Sequence, residues 1–198
     1  IICETEEDAI QAATDMLSGT SFGDAGAEVV IEEFLEGEEI SFFALCDGQT
    51  VLPLTSAQDH KRAFDNDEGP NTGGMGAYSP AHVMTDRIEE IIIRDHLEPT
   101  LKTMAAEGYP FTGVLFAGLM LTKDGPKMLE YNIRFGDPEC QALMLRMEGD
   151  LLDILDKAAE TRLSEVLSDI SWSKDSSICV VMATKGYPGS YQKGSVIQ

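Results

Sequence analysis

The spacing of apolar residues changes several times along the chain, and each change marks an element. Ala9, Ile10, Ala13, Met16 and Leu17 recur at helical spacing behind Thr5-Glu6-Glu7-Asp8, which fits a capping box. Residues 18–27, rich in Gly and Ser, read as a loop. Val29-Val30-Ile31 predicts a buried strand that ends in Glu32-Glu33-Phe34-Leu35. Residues 40–46 predict a second strand, Asp47-Gly48 a hairpin turn, and residues 50–55 the return strand. Residues 56–80 then turn polar and Gly-rich for too long to be a simple connection, which marks a functional or disordered loop. Thr85 and Asp86 start a helix carrying Ile88, Ile91, Ile92, Leu97, Leu101 and Met104, which Pro99 kinks or divides. Residues 114–122 are apolar nearly throughout, as in a central strand buried on both faces. Lys123-Asp124-Gly125 is a turn into a strand over 128–132. Residues 150–167 predict an amphipathic helix facing inward through Leu152, Leu155, Ala159, Leu163 and Val166. Residues 172–174 read as a linker, 178–183 as a new strand and 185–189 as a turn.

Composition narrows the class. At 198 residues, 43% hydrophobic and 25% charged, the chain is an ordinary globular sequence. Its net charge of −21 argues against nonspecific binding to nucleic acid or an anionic membrane. A small phosphorylated ligand remains compatible, because a metal ion and a few cations invert the field locally. No apolar run reaches the roughly 20 residues that span a bilayer. Cys3, Cys46, Cys140 and Cys179 are scattered, as free thiols of a reducing, cytoplasmic compartment would be. The opening Ile1-Ile2-Cys3-Glu4 reads as a strand entered midway, so a fragment of a longer protein is expected.

The candidate chemistry gathers in Leu129 to Gln141, LEYNIRFGDPECQ. Strand alternation puts Glu130, Asn132 and Arg134 on one face, roughly 6.6 Å apart in succession, if the strand runs that far. Glu130 and Asn132 offer oxygen ligands to a hard divalent cation, and Arg134 a fork of donors to a phosphate or carboxylate. A half-buried strand with a wet polar face would read the same way. Glu32, Glu33, Phe34 and Leu35 could meet an adenine edge and face, and Glu39 a ribose; a Glu-rich surface turn is the plainer alternative. Asp59, His60, Lys61 and Arg62 make a positive spot suited to a phosphate or carboxylate, or a solvated loop with internal ion pairs. The loop Asn71, Thr72, Gly73, Gly74, Met75, Gly76 offers backbone N–H groups to an anion without side-chain obstruction. No P-loop, GxGxxG, catalytic triad or zinc spacing is present.

The blocks EEFLEGEE, SAQDHKR, GPNTGGMGAYSP and EYNIRFGDPECQ, with GYPGSYQKG near the end, resemble the glycinamide ribonucleotide synthetase (phosphoribosylamine–glycine ligase) family. The one departure is Tyr131-Asn132-Ile133, where the family usually has Phe-Asn-Cys or Phe-Asn-Ala. The resemblance implies part of an α+β ATP-grasp fold, an antiparallel or mixed sheet with flanking helices. It implies the end of the small subdomain over 1–35, the large subdomain over 36–168, and the start of a C-terminal domain over 169–198. It also implies an ATP-dependent ligase of de novo purine synthesis, joining glycine to 5-phosphoribosylamine through a glycyl phosphate. The implied cofactors are ATP and magnesium or manganese, the metal on Glu130 and Asn132. Glu32 to Leu35 and Glu39 would hold ATP. Asp59 to Arg62 and Asn71 to Gly76 would hold the small substrates. Arg134 would steady the phosphoryl group, with Asp137 and Glu139 orienting Arg134 or the amine. The implied protein is a monomer or part of a multifunctional purine enzyme, with small-molecule partners, no nucleic acid and no membrane. Two alternatives stand beside it: a non-catalytic nucleotide-binding or scaffold module, and a different ATP-grasp carboxylate–amine ligase.

Overall fold

The computed structural model describes residues 1–19 and 23–196, so residues 20–22 of the expected 18–27 loop lie outside the described residues. Two compact units are present, Ile1–Glu36 and Gly37–Gln198. In the first, helix α1 (Glu6–Leu17) starts at the expected cap. Thr5 Oγ1 accepts from Asp8 N at 3.1 Å and donates to the Asp8 carboxylate at 2.7 Å. The expected strand over 29–35 does not form, and neither does the one expected at residues 1–4. Val30 and Ile31 are 85% and 84% exposed. A strand needs a ladder, and among the described residues of this unit no other strand supplies one.

The second unit is built on a sheet. Its elements in order are β1 (Glu38–Asp47), β2 (Val51–Asp59), β3 (Arg62–Phe64), β4 (Glu68–Asn71), β5 (Gly76–Ser79), α2 (Asp86–Ile92) and α3 (Glu98–Ala106). There follow β6 (Thr112–Thr122), β7 (Gly125–Asn132), α4 (Glu139–Met144), β8 (Met147–Glu148), α5 (Leu151–Ala159), β9 (Ser171–Trp172) and β10 (Ser177–Val180). The main sheet has strand order β10-β5-β2-β1-β6-β7, and its paired neighbours are antiparallel. β1 is buried on both faces. Ile40, Phe42, Ala44 and Cys46 meet Ile92, Leu97 and Leu101 of the helical layer on one side. Phe43 and Leu45 meet Leu143, Ile154, Ala158 and Leu163 on the other.

Pro99 divides its helix as expected, and the means is a π-turn over residues 93–97 that links α2 to α3. Proline lacks an N–H, and the wider turn accommodates the lost hydrogen bond.

Four expectations need correction. Residues 56–80 are not one loop: β2 runs to Asp59, β3 and β4 form a small hairpin, and β5 joins the main sheet. β3, β4 and β5 are three or four residues long, too short for alternation to reveal them, and β5 pairs in part with the distant β10. The helix over 150–167 stops at Ala159, and Thr161 turns the chain with φ 59°. Its inward face is Ile154 and Ala158, with Leu152 77% exposed. Trp172 is not in a linker but in β9, paired with β8 and packed on the core. Residues 177–180 form β10, whose partner is β5 of the same unit.

Candidate active site

One row of the sheet explains where the polar side chains gather. Register aligns Ala57, Ser41, Gly118 and Glu130 across β2, β1, β6 and β7. The three residues beside Glu130 are small, so this end of the sheet has a floor on which larger side chains lie. A Cβ on Gly118 would sit 3.3 Å from Glu130 Cγ. Ser41 Oγ donates to Glu139 Oε1 at 3.3 Å.

Glu130 and Asn132 do share a face, and Asn132 Nδ2 donates to Glu130 Oε1 at 3.1 Å. A bulge intervenes just before them, since Leu119 faces Met128 and Gly118 faces Glu130. The two donors still differ by two positions, so alternation keeps them together. Tyr131 points to the other face, where its hydroxyl donates to His96 O at 2.9 Å and meets Thr100 Oγ1 at 2.8 Å. The strand ends at Asn132, so Arg134 is not its next same-face residue. Arg134 is exposed, and its Nη1 donates to Phe135 O at 2.9 Å. Asp137 accepts from Gln141 at 3.0 Å. Glu139, unlike both, is only 3% exposed, with its carboxylate against Gly136 and Ser41.

Glu39 and Lys61, expected to hold different ligands, are paired with each other in a short ion pair. Lys61 is the cation of a cluster that includes Asp59 and Glu130. Burial pulls the Lys61 ammonium down, but the Glu39 hydrogen bond and the Asp59, Glu39 and Glu130 charges outweigh it and raise its pKa. Asp59 is pushed up by burial first, with Lys61 opposing and Glu39 adding. Glu139 is raised by burial and by Asp59, against the pull of its backbone N–H, Ser41 and Lys61. His60 stacks on Tyr78 at 5.8 Å between ring centres, and Arg62 Nη1 donates to Gly69 O at 2.6 Å.

The loop over 71–76 differs from expectation in a specific way: its amides are occupied. Thr72 N donates to Lys61 O at 2.7 Å and Met75 N to His60 O at 2.7 Å. Gly74 N donates to Thr72 Oγ1 at 3.0 Å and Gly73 N to Tyr187 Oη at 3.2 Å. The glycines serve close approach. A Cβ on Gly74, whose φ is +125°, would lie 2.6 Å from Pro138 Cδ. One on Gly76 would lie 2.8 Å from Cys179 O. The loop therefore rests directly on the Asp137–Pro138 turn and beside β10.

Sequence reasoning missed Arg146. It is 7% exposed and binds four neutral oxygens: Asp175 O, Thr55 Oγ1, Ser79 Oγ and Ser173 O, at 3.0, 3.2, 2.9 and 2.9 Å. It thus ties the end of α4 to β2, β5 and the segment before β10. Burial lowers its pKa. A lone Arg inside the apolar run Ala142 to Met147 was the available clue.

In the first unit, Glu32, Glu33 and Phe34 line an open groove with Ala12, Ala13 and Met16 of α1. Phe34 is 65% exposed. Among the described residues no group of three or more His, Cys, Asp or Glu side chains is placed to hold a metal. Glu130 with Asn132 still fits magnesium, which prefers oxygen donors and takes the rest of its shell from phosphates and water. The four cysteines are unpaired, and no helix among the described residues is long and apolar enough to cross a membrane.

Residues 1–140 match the model of the phosphoribosylglycinamide synthetase ATP-grasp (A) domain. The phosphoribosylamine–glycine ligase of Brucella melitensis is 55% identical over the whole chain, which covers 46% of that protein. The chain thus spans less than half the length of that relative. The crystal structure of phosphoribosylamine–glycine ligase from Thermotoga maritima superposes with a TM-score of 0.82 at 31% identity, over 95% of this chain and 46% of its own. A biotin carboxylase domain from Hydrogenobacter thermophilus, in complex with MgADP, shares the fold with a TM-score of 0.61 at 18% identity, over 90% and 37%. The family model, the Brucella relative and the Thermotoga structure agree: this chain belongs to the phosphoribosylglycinamide synthetase ATP-grasp family.

Proposed function

We propose that this chain carries the nucleotide- and metal-binding part of a ligase that joins glycine to 5-phosphoribosylamine, with ATP and magnesium. The observation that carries the reading is the shared face of Glu130 and Asn132 beside the Lys61–Glu39 pair, in a chain of this family. Glu32 to Leu35 take the adenine, whose ring packs on the exposed Phe34. Glu39 takes the ribose hydroxyls, which requires Lys61 to release it. Glu130 and Asn132 hold magnesium; manganese suits the same oxygen donors. Bound there, the metal neutralises the phosphate oxygens during transfer. Arg134, exposed at the end of β7, swings its guanidinium onto the transferring phosphoryl group.

The reaction needs position and charge more than a nucleophile from the protein. A glycine carboxylate oxygen attacks the γ-phosphorus and ADP leaves. The amine nitrogen then attacks the glycyl carbonyl carbon, phosphate leaves with the bond electrons, and the nitrogen gives up one proton. Released Lys61, with Asp59 and His60 beside it, orients the glycine carboxylate. Asp137, exposed in the turn before α4, orients the amine. Glu139 acts through the Ser41 contact, holding the start of α4 on the sheet.

The test uses the full-length protein with ATP, magnesium, glycine and freshly prepared 5-phosphoribosylamine. ADP should form only when both glycine and the amine are present. Equal ADP formation with another amino acid, or without the amine, contradicts the reading.

A further inference from the structure

Residues 185–190 form a turn that meets the 71–76 loop in the hydrogen bond from Gly73 N–H to Tyr187 Oη at 3.2 Å. The turn is closed on itself. Tyr187 N donates to Thr184 O at 3.2 Å, and a Cβ on Gly186 would sit 2.7 Å from Ser190 O. The Tyr191 ring stands edge-on to Tyr187, with centres 6.0 Å apart.

Two independent features single this place out. The first is the kind of partner each loop amide has. Thr72, Gly74 and Met75 donate within residues 60–75, whereas Gly73 donates to a hydroxyl in an exposed contact. A ligand oxygen can replace that hydroxyl without leaving a buried group unsatisfied. The second is charge. In a chain of 35 acidic residues, none occurs after Asp175, and Lys185 and Lys193 lie in that stretch. Both lysines are exposed, and neither ammonium has an ion pair or hydrogen bond among the described residues.

We propose that Gly73 N–H, the Tyr187 hydroxyl, Lys185 and Lys193 form the subsite for the phosphate monoester of the amine substrate. The inference rests on the ligase reading above. A dianionic monoester is held best by charge-assisted hydrogen bonds alongside neutral donors, and Lys185 and Lys193 lie within the same segment as Tyr187. Of the other cations near the loop, Lys61 serves the glycine carboxylate in that reading and sits among carboxylates that repel a dianion, and Arg62 donates to Gly69 O.

The test compares the full-length wild type with Lys185→Ala/Lys193→Ala, with Tyr187→Phe, and with the double arginine variant. The alanine pair should raise the KM for 5-phosphoribosylamine by about tenfold or more while KM for ATP and glycine stay within about twofold. Inhibition by ribose 5-phosphate should weaken by a similar factor, and the arginine pair should restore it. Tyr187→Phe should have a smaller effect in the same direction. An unchanged KM for the amine overturns the subsite, and an equal rise in KM for ATP assigns the lysines to nucleotide phosphate instead. Should the wild type show no amine-dependent turnover, the ligase reading fails by itself. Thermal protection by ribose 5-phosphate then decides the subsite: protection lost in the alanine pair supports it, and equal protection overturns it.

Discussion

Asp47 and Glu139 are both buried carboxylates, and their surroundings move them in opposite directions. Asp47 opposes its burial with three backbone donors, Thr50 N at 2.7 Å, Gln49 N at 3.1 Å and Leu163 N at 2.9 Å, so its pKa is lowered. A lowered folded pKa contributes stability that is present above about 3.9, the unfolded value, and is lost as pH falls through the folded one. Asp47→Ala should therefore cost about 3 kcal/mol at neutral pH, measured by denaturant unfolding, with a smaller cost in acid. Glu139 is raised by burial and by Asp59, so the sign reverses. Its contribution is fully present below about 4.3 and is lost as pH rises through the folded value. In thermal melts, the wild type should lose stability relative to Glu139→Gln as pH rises from about 4 to about 7. Parallel curves would contradict this. Asp47 was legible in the sequence as a hairpin turn, but its bond to Leu163 was not. The Glu39–Lys61 pair was equally hidden, because β1–β2 pairing brings together residues 22 apart.

At the scale of elements, the edge strand β7 is fixed from behind by one residue of the π-turn. His96 Nε2 meets Pro126 O at 3.2 Å near the start of the strand, and His96 O accepts from Tyr131 Oη at 2.9 Å near its end. A carbonyl only accepts, so Nε2 carries a proton. β7 has one strand neighbour and a bulge at Leu129, so these contacts help to set the register that aims Glu130 and Asn132. Tyr131→Phe should cost about 1 kcal/mol and speed amide hydrogen exchange over residues 128–132. Unchanged exchange would leave the phenol without this role. The alternation of β7 was readable because it depends only on neighbours in sequence. The bulge and the phase of α5 were not, since each is set by packing outside the element, and the strands over 62–79 are too short for alternation to show. Pro99 announced a break, and only the structure shows that it is a π-turn.

The whole chain joins an acidic composition to a proposed site for an anionic nucleotide. Its net charge is −21, and Lys61 sits among Glu39, Asp59 and Glu130. Such a cluster favours a divalent cation as the bridge to nucleotide phosphates. Glu130 and Asn132 are therefore the proposed metal-binding face. The direct measurement is the magnesium dependence of turnover in the full-length wild type, Glu130→Gln, Asn132→Ala and the double variant, each with its melting temperature. Glu130→Gln keeps shape and removes the ligand charge. It should lower turnover and raise the half-saturating magnesium concentration about tenfold or more, with a nearly unchanged melting temperature. The double variant should lose less catalytic free energy than the sum of the singles, because both side chains serve one ion. A Glu130→Gln protein that melts early yet keeps the wild-type magnesium dependence would contradict the claim and make this face structural.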